Sequence, residues 1–352
     1  MTDRIGSPAR LAIVGAGAIA ESYLRALETL SGAELVALAD VDQTRAQTIA
    51  GRLNVPAFGG HRELLATVPC DAIVVCTPPA YHMEVAIDAL RSGVHVLCEK
   101  PLSIGAFAAR RMYAAALENG RVLTMASKFR FFADIVRAKA LMLDGAVGKV
   151  LRVENTFMSR VDMTGRWNSR VETSGGGVII DNGTHSVDIM RFLLGPLTAA
   201  YAVDTSTDSR YDGCDESASL FVRNAAGIVG AIGLSWSFAA PDGTFLRILG
   251  TEGRIEVGWA GAACTRGEGE AVNFGTGYDK LRSLAAQIEN FIAAVRGEAP
   301  PAVSREDAIA SVEVIDAAYD SVRRSAWSAV ELRRLTPFER LIAVEGIAAG
   351  AG

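Results

Sequence analysis

The chain has 352 residues, half of them hydrophobic and 21% charged, a length that favours two cores and a composition that excludes a disordered, collagenous or disulfide-stapled protein. Lys and Arg number 35 against 40 Asp and Glu, with no long block of either sign, which argues against a nucleic-acid or other polyanion partner. The five cysteines form no C-x-x-C pair, residues 1–10 hold no apolar signal core and no run of about 18 apolar residues occurs, so a reducing, cytoplasmic, non-membrane setting is expected.

From residue 11 to residue 127 short β-branched runs alternate with helical patterns. LAIVG leads into a helix ending near residue 30, ELVALAD into a helix from residue 44, and DAIVVCT, VHVLCE and RVLTMAS continue the series. Continuous apolar strands separated by helices predict a parallel sheet covered on both faces, a doubly wound Rossmann domain over residues 1–127.

Gly15-Ala16-Gly17-Ala18-Ile19-Ala20 falls between the first strand and the first helix, the context a dinucleotide fingerprint requires. Gly15 serves the tight turn, Gly17 lets the backbone approach a pyrophosphate, and the helix start at Ala18 and Ile19 offers N–H groups to phosphate. Asp40, at the end of the second strand, sits where a carboxylate can accept from adenosine ribose hydroxyls, which favours NAD; Arg45 nearby keeps NADP open.

Glu99-Lys100-Pro101 follows the fifth strand of the doubly wound sheet, so Lys100 should emerge at the carboxyl edge where such folds bind ligands; a surface lysine closing a strand is the plain alternative. After a linking helix near 135–143 the texture changes to longer strands. VLRVENTFMSR comes first, then a hairpin over 218–238 turning at 224–227, then FLRILG and RIEVGW joined by 251–253. A largely antiparallel, open-faced sheet over residues 128–340 is predicted, with helices on one side, one starting near Asp181 and one over 281–295. A helix over 305–324 closes the chain against these, and 341–352 is expected to fray.

Asp181 and His185, four apart behind a run of three glycines, share one helix face. An N-cap beside a chance histidine fits as well, whereas no second His or Cys adjoins the pair, so no metal site is expected. Read with Lys100 the pair suggests hydride transfer: His185 takes the alcohol proton, the Lys100 ammonium stabilises negative charge on the same oxygen, and Asp181 orients one of them. Lys100 as the base is the alternative. The polar loop SRVDMTGRWNSRVETS contains Arg166, Trp167 and Asn168, which are candidates for specificity at a cleft mouth; Trp236 in the hairpin reads more as packing.

GAGAIA, IVVCTPPAYHMEVAIDAL, GVHVLCEKPLS, GGGVIIDNGTHSVDIMRFLLG and the closing segment from QIENFIAAV to DSVRRS together resemble the glucose-fructose oxidoreductase, inositol dehydrogenase and rhizopine catabolism (Gfo/Idh/MocA) family over nearly the whole chain. The resemblance implies a Rossmann domain followed by an α/β domain whose open sheet mediates a homodimer or homotetramer. It also implies Lys100, Asp181 and His185 as catalytic residues and Thr77, Pro78, His82 and Glu99 lining the cofactor; helix packing is the alternative for His82. Where the family often has an Asn-Arg pair after the sixth strand, this chain has Lys128-Phe129-Arg130, and both Lys128 and Arg130 are candidates to hydrogen-bond substrate hydroxyls or a phosphate. The implied function is an NAD(P)-dependent dehydrogenase of a polyhydroxylated sugar, amino sugar or inositol-like cyclitol. An NAD-retaining glycoside hydrolase and a dinucleotide-sensing regulator are the competing readings, and the intact set of Lys100, Asp181 and His185 speaks against the last.

Overall fold

The computed structural model describes residues 7–330 except 208, 209 and 212, so the expected frayed tail and the last ten residues of the second segment lie outside the described residues. The first half runs β1 (Ala9–Val14), α1 (Ala18–Leu27), β2 (Ala33–Ala39), α2 (Gln43–Leu53), β3 (Ala57–Phe58), α3 (His61–Thr67), β4 (Ala72–Val75), α4 (Pro79–Arg91), β5 (His95–Cys98), α5 (Ala106–Glu118) and β6 (Leu123–Met125). Its six strands are all parallel, in the order β3-β2-β1-β4-β5-β6. The interior of the sheet is apolar on both faces, with Leu11, Ala12, Ile13, Ile73, Val74 and Val75 all without solvent exposure, as a sheet sandwiched between helix layers demands. The order reverses between β1 and β4, and a ligand crevice forms where chain segments leave that switch point in opposite directions.

Lys128–Phe131 form a single 3-10 turn, followed by α6 (Ala133–Leu143), β7 (Val150–Met158), α7 (Val171–Ser174) and α8 (Val178–Leu194). The strands β8 (Leu197–Asp204), β9 (Ser217–Asn224), β10 (Val229–Ser235), β11 (Thr244–Gly250), β12 (Gly253–Gly258), β13 (Ala262–Arg266) and β14 (Val272–Asn273) precede α9 (Lys280–Val295), α10 (Arg305–Arg324) and β15 (Ser328–Ala329). They form one nine-stranded sheet, order β14-β13-β12-β11-β7-β10-β9-β8-β15, antiparallel except for the β7/β10 pair. The predicted hairpin is present, with Gly227 in the left-handed region at its turn.

One expectation fails. The helix assigned by sequence to the second sheet, α9, instead lies along α1 of the first half. Its Leu284, Ile288, Phe291 and Ile292 share a core with Tyr23, Leu24 and Leu27. Periodicity marks which stripe of a helix is apolar but not which surface it meets, and the outer stripe of α1 needed a cover. The last long helix, α10, packs against α5 of the first half as well as α8 and β8 of the second, tying the two halves together.

Candidate active site

The fingerprint turn is built as its residue types require. Gly15 has φ +98°, and a Cβ there would lie 2.6 Å from the Cys76 carbonyl carbon, so the turn from β1 and the strand end of β4 can approach only with glycine. At Gly17 an added Cβ would meet no protein atom within 4 Å and would fill the open cradle at the start of α1. No side chain caps that helix, which leaves its first N–H groups facing the crevice. Asp40 stands at the end of β2, as expected, and its carboxylate accepts the backbone N–H of Ala16 (2.5 Å) and of Asp42 (2.8 Å), bracing the fingerprint loop. The neighbouring hollow is lined by Asp42, Thr44 and Arg45, with Asp42 also capping α2 through the Arg45 N–H.

Two cavities meet above the switch point. One, about 420 Å³, is walled by Gly17, Ala18, Ile19, Thr77 and Glu99. The other, about 490 Å³, opens on the second half between Phe157, Ser159, Asn182, Thr244, Phe245 and Trp259. Four residues line both: Lys100, Lys128, Asp181 and His185. These four mark the junction at which a ligand in one cavity would touch a ligand in the other.

Segments eighty positions apart converge there. Lys100 Nζ is 2.6 Å from Asp181 Oδ1 and also donates to the Asp181 carbonyl at 3.0 Å. The other carboxylate oxygen of Asp181 accepts from Asn168 Nδ2 at 3.2 Å. His185, one turn further along α8, rests edge-on against Phe129 at 5.0 Å between centroids, and its ring makes no hydrogen bond among the described residues. Burial first, then the Lys100 and Lys128 cations, push the His185 pKa well below the ordinary imidazole value, so the ring is neutral at pH 7.

Helix α8 is fixed from outside its own sequence. The Asp215 carboxylate accepts the N–H groups of Gly177 (3.0 Å) and Ile179 (2.7 Å) at the start of the helix and is itself held by the Tyr319 hydroxyl at 2.8 Å. A buried carboxylate thus occupies the positive end of the helix that carries Asp181 and His185. Glu99 is placed comparably: its side chain accepts from the Tyr23 hydroxyl at 2.8 Å and from the Lys100 N–H at 3.0 Å, and Gln287 of α9 donates to the Tyr23 oxygen at 2.7 Å.

Among the residues singled out by sequence, Thr77 lines the first cavity, and its hydroxyl is buried without a partner among the described residues, a polar atom waiting for a ligand. Pro78 caps the start of α4 rather than lining either cavity. His82 is fully buried, with its ring nitrogens 3.0 Å from the Pro101 carbonyl and 2.7 Å from the Thr77 carbonyl, so it braces the two loops that bear Lys100 and Thr77 and lines neither cavity. Arg130 is corrected likewise. Its guanidinium is paired with Asp188 at 2.7 Å and with Asp307 at 2.7 Å and faces neither cavity, because a planar cation buried to 7% exposure must be met by carboxylates on each side. Asp307 also pairs with Arg191, and Ser127 donates to Asp188. Arg166, Trp167 and Asn168 border the first cavity instead of the second, where the sequence reading had set them as substrate contacts. Trp236 is packed away at 1% exposure. Sequence reasoning missed Trp259, half exposed at the rim of the second cavity, and its aromatic neighbours Phe157 and Phe245. Only the turn that follows β12 marks Trp259 out in the sequence, and a turn tryptophan carries no spacing that signals a site.

This arrangement of a dinucleotide cradle meeting a Lys–Asp–His junction is that of an NAD(P)-dependent oxidoreductase. Residues 9–127 match the oxidoreductase family model with an NAD-binding Rossmann fold, and residues 135–256 match the GFO/IDH/MocA C-terminal domain. The chain is 31% identical to D-xylose 1-dehydrogenase (NADP(+)) 2 of Haloferax volcanii, over 85% of this chain and 92% of that protein. It is 29% identical to inositol 2-dehydrogenase of Rhizobium meliloti, over 89% and 96%. Among solved structures, GenD2 from gentamicin A biosynthesis in complex with NAD superposes with a TM-score of 0.82 at 27% identity, covering 94% of this chain and 98% of that one. The protein belongs to the Gfo/Idh/MocA family of oxidoreductases. Among the described residues no helix is long and apolar enough to cross a membrane.

Proposed function

We propose that the protein is a dehydrogenase that moves a hydride between nicotinamide C4 and a secondary carbinol of a sugar or cyclitol, with His185 as proton acceptor. The observation that carries this reading is the shared wall of the two cavities: among the described residues, Lys100, Lys128, Asp181 and His185 line both, and so would meet both a nicotinamide and a polyol. Gly17, Ala18, Ile19, Thr77 and Glu99 would hold the dinucleotide, with Asp42 rather than Asp40 facing the adenosine end. When bound, the nicotinamide supplies a hydride acceptor.

The side chains do the rest. A neutral imidazole facing a carbinol oxygen accepts its proton as the C–H bond is broken, and needs no prior deprotonation at pH 7. Lys100, paired to Asp181, is an ammonium with one N–H bond left for the same oxygen, where it stabilises developing negative charge. Asp181, fixed through Asn168, aims the Lys100 side chain by its ion pair, and this supports reading His185 as the base. Ser159, Asn182 and Thr244 offer donors and acceptors for hydroxyls, and Trp259 offers a flat apolar face for a ring.

The test is reduction of NAD and of NADP measured with a panel of hexoses, amino sugars and inositols. Stable NADH or NADPH formation that falls sharply in His185→Ala, with coenzyme binding retained, is expected; a variant with undiminished turnover would exclude His185 as the base.

A further inference from the structure

We infer that the substrate of this site carries an anionic group, a carboxylate or a phosphate, and that Lys128 is the residue that holds it. The inference rests on the dehydrogenase reading above and names the class of sugar that reading leaves open.

The charges at the junction do not balance. Lys100 has its counterion in Asp181. Glu99 is committed to Tyr23 and to the backbone of Lys100. Lys128 makes neither an ion pair nor a hydrogen bond through Nζ among the described residues; its ammonium sits over the rings of Phe129 (5.4 Å) and Tyr278 (5.9 Å). The charged groups that face it are Lys100 and Lys280, both repelling, and Glu99 and Asp181, both already engaged, while the nearby His185 is neutral. Three ammonium groups, Lys100, Lys128 and Lys280, therefore confront two carboxylates, Glu99 and Asp181.

Elsewhere in the second cavity the polar lining is neutral apart from Asp242, which is bound to Arg247 at 2.6 Å. Ring faces attract a cation but do not neutralise it, and an ammonium withdrawn from water without a counterion is a standing cost. Burial pushes the Lys128 pKa down to about 8, which is still above neutrality, so the group is mostly charged at pH 7. Hydroxyls alone would meet Thr156, Ser159, Asn182 and Thr244 equally well without Lys128. What those residues cannot supply, and Lys128 can, is a positive partner for a uronate, an aldonate or a sugar phosphate.

The experiment compares kcat/KM for sugars that differ in one group: D-glucose, D-glucuronate, D-gluconate and D-glucose 6-phosphate, with myo-inositol as a further neutral polyol, in the wild type, Lys128→Met and Lys128→Arg. An anionic member should exceed its neutral counterpart by about 100-fold, and the carboxylate and phosphate arms tell the two sources apart. Lys128→Met should lose about that factor for the anionic substrate, chiefly through KM, with Lys128→Arg restoring part of it, and its loss for neutral sugars should be the smaller of the two. The KM for the anionic substrate should rise as pH passes about 8, where Lys128 gives up its proton.

Neutral sugars turned over as well as or better than anionic ones, or an equal loss for both in Lys128→Met, would overturn the inference and leave the dehydrogenase reading intact. A wild type that reduces neither coenzyme with any of these sugars would instead count against the dehydrogenase reading. In that event calorimetric titration of the NADH-loaded protein with D-gluconate and with D-glucose judges the anion site by itself. Gluconate binding that depends on Lys128 upholds it, and equal binding of the two sugars rejects it.

Discussion

The two halves of the cleft are made differently. The coenzyme side is backbone: a turn that only glycine can take at residue 15, an open cradle at Gly17 and the uncapped start of α1, all within a few residues of one another. The side proposed for the sugar is a set of side chains gathered from the turn after β6, from β7, from α8 and from the turn after β12, with Lys128, Phe157, Asn182 and Trp259 far apart in the chain. A dinucleotide is the same molecule in every enzyme that uses it and can be met by a short fixed motif, whereas a sugar is met by positions that differ whenever the sugar does. The lesson is that recognition by backbone is local and recognition by side chain is not.

The comparison breaks most sharply at His185. Its replacement by Ala should cut kcat by roughly 10²- to 10⁴-fold while NADH affinity, followed by fluorescence titration, stays near normal, because the ring belongs to the junction and not to the cradle. Below the junction the halves are no longer separable. Arg130 joins the turn after β6 to α8 through Asp188 and to α10 through Asp307, so Arg130→Met should cost about 3–5 kcal/mol in urea unfolding by leaving Asp188 buried without its cation and Asp307 with Arg191 alone. Unchanged stability would mean the network is replaceable.

Two glycines sharpen the coenzyme side. Gly17→Val should weaken NADH binding by roughly tenfold or more, about 1.4 kcal/mol, with little effect on unfolding, since no protein atom lies near the new side chain. Gly15→Ala should lower the unfolding midpoint as well, because its Cβ would meet the backbone of Cys76. The smallest effect is on pH. The His185 pKa is depressed by burial, Lys100 and Lys128, so kcat/KM for oxidation should hold through pH 6.5 and fall only below it. Removing the Lys128 cation in Lys128→Met favours the imidazolium and should shift that acid limb upward. A limb at or above pH 6.5 in the wild type would show that the ring is better solvated than the structure indicates.

The fold was legible in proportion to how locally it is determined. The alternation of apolar strands with helices specified the parallel sheet, and the 224–227 turn and the residues 251–253 specified two hairpins of the second. The place of α9 was not legible, because an apolar stripe does not name its partner. Helix phase gave Asp181 and His185 one face and the end of β5 gave Lys100 its edge, but not which of the two Asp181 would pair with, and nothing in the sequence around Asp40, His82 or Arg130 tells that a polar side chain will be spent on a backbone N–H, on two carbonyls or on buried carboxylates. Such commitments depend on which atoms the rest of the chain leaves without partners, and that is settled only when the core has closed.

The return of α9 to α1 bears on the order in which the molecule can be assembled during synthesis. The apolar flank of α1 at Tyr23, Leu24 and Leu27 and the hydrogen bond that Gln287 gives Tyr23 are completed by residues more than 250 positions downstream. A nascent chain that has released only its nucleotide-binding segment therefore carries an open greasy seam, and a truncated product ending before residue 280 should be prone to aggregate. Of these two helices, the one made first is finished only when the second arrives.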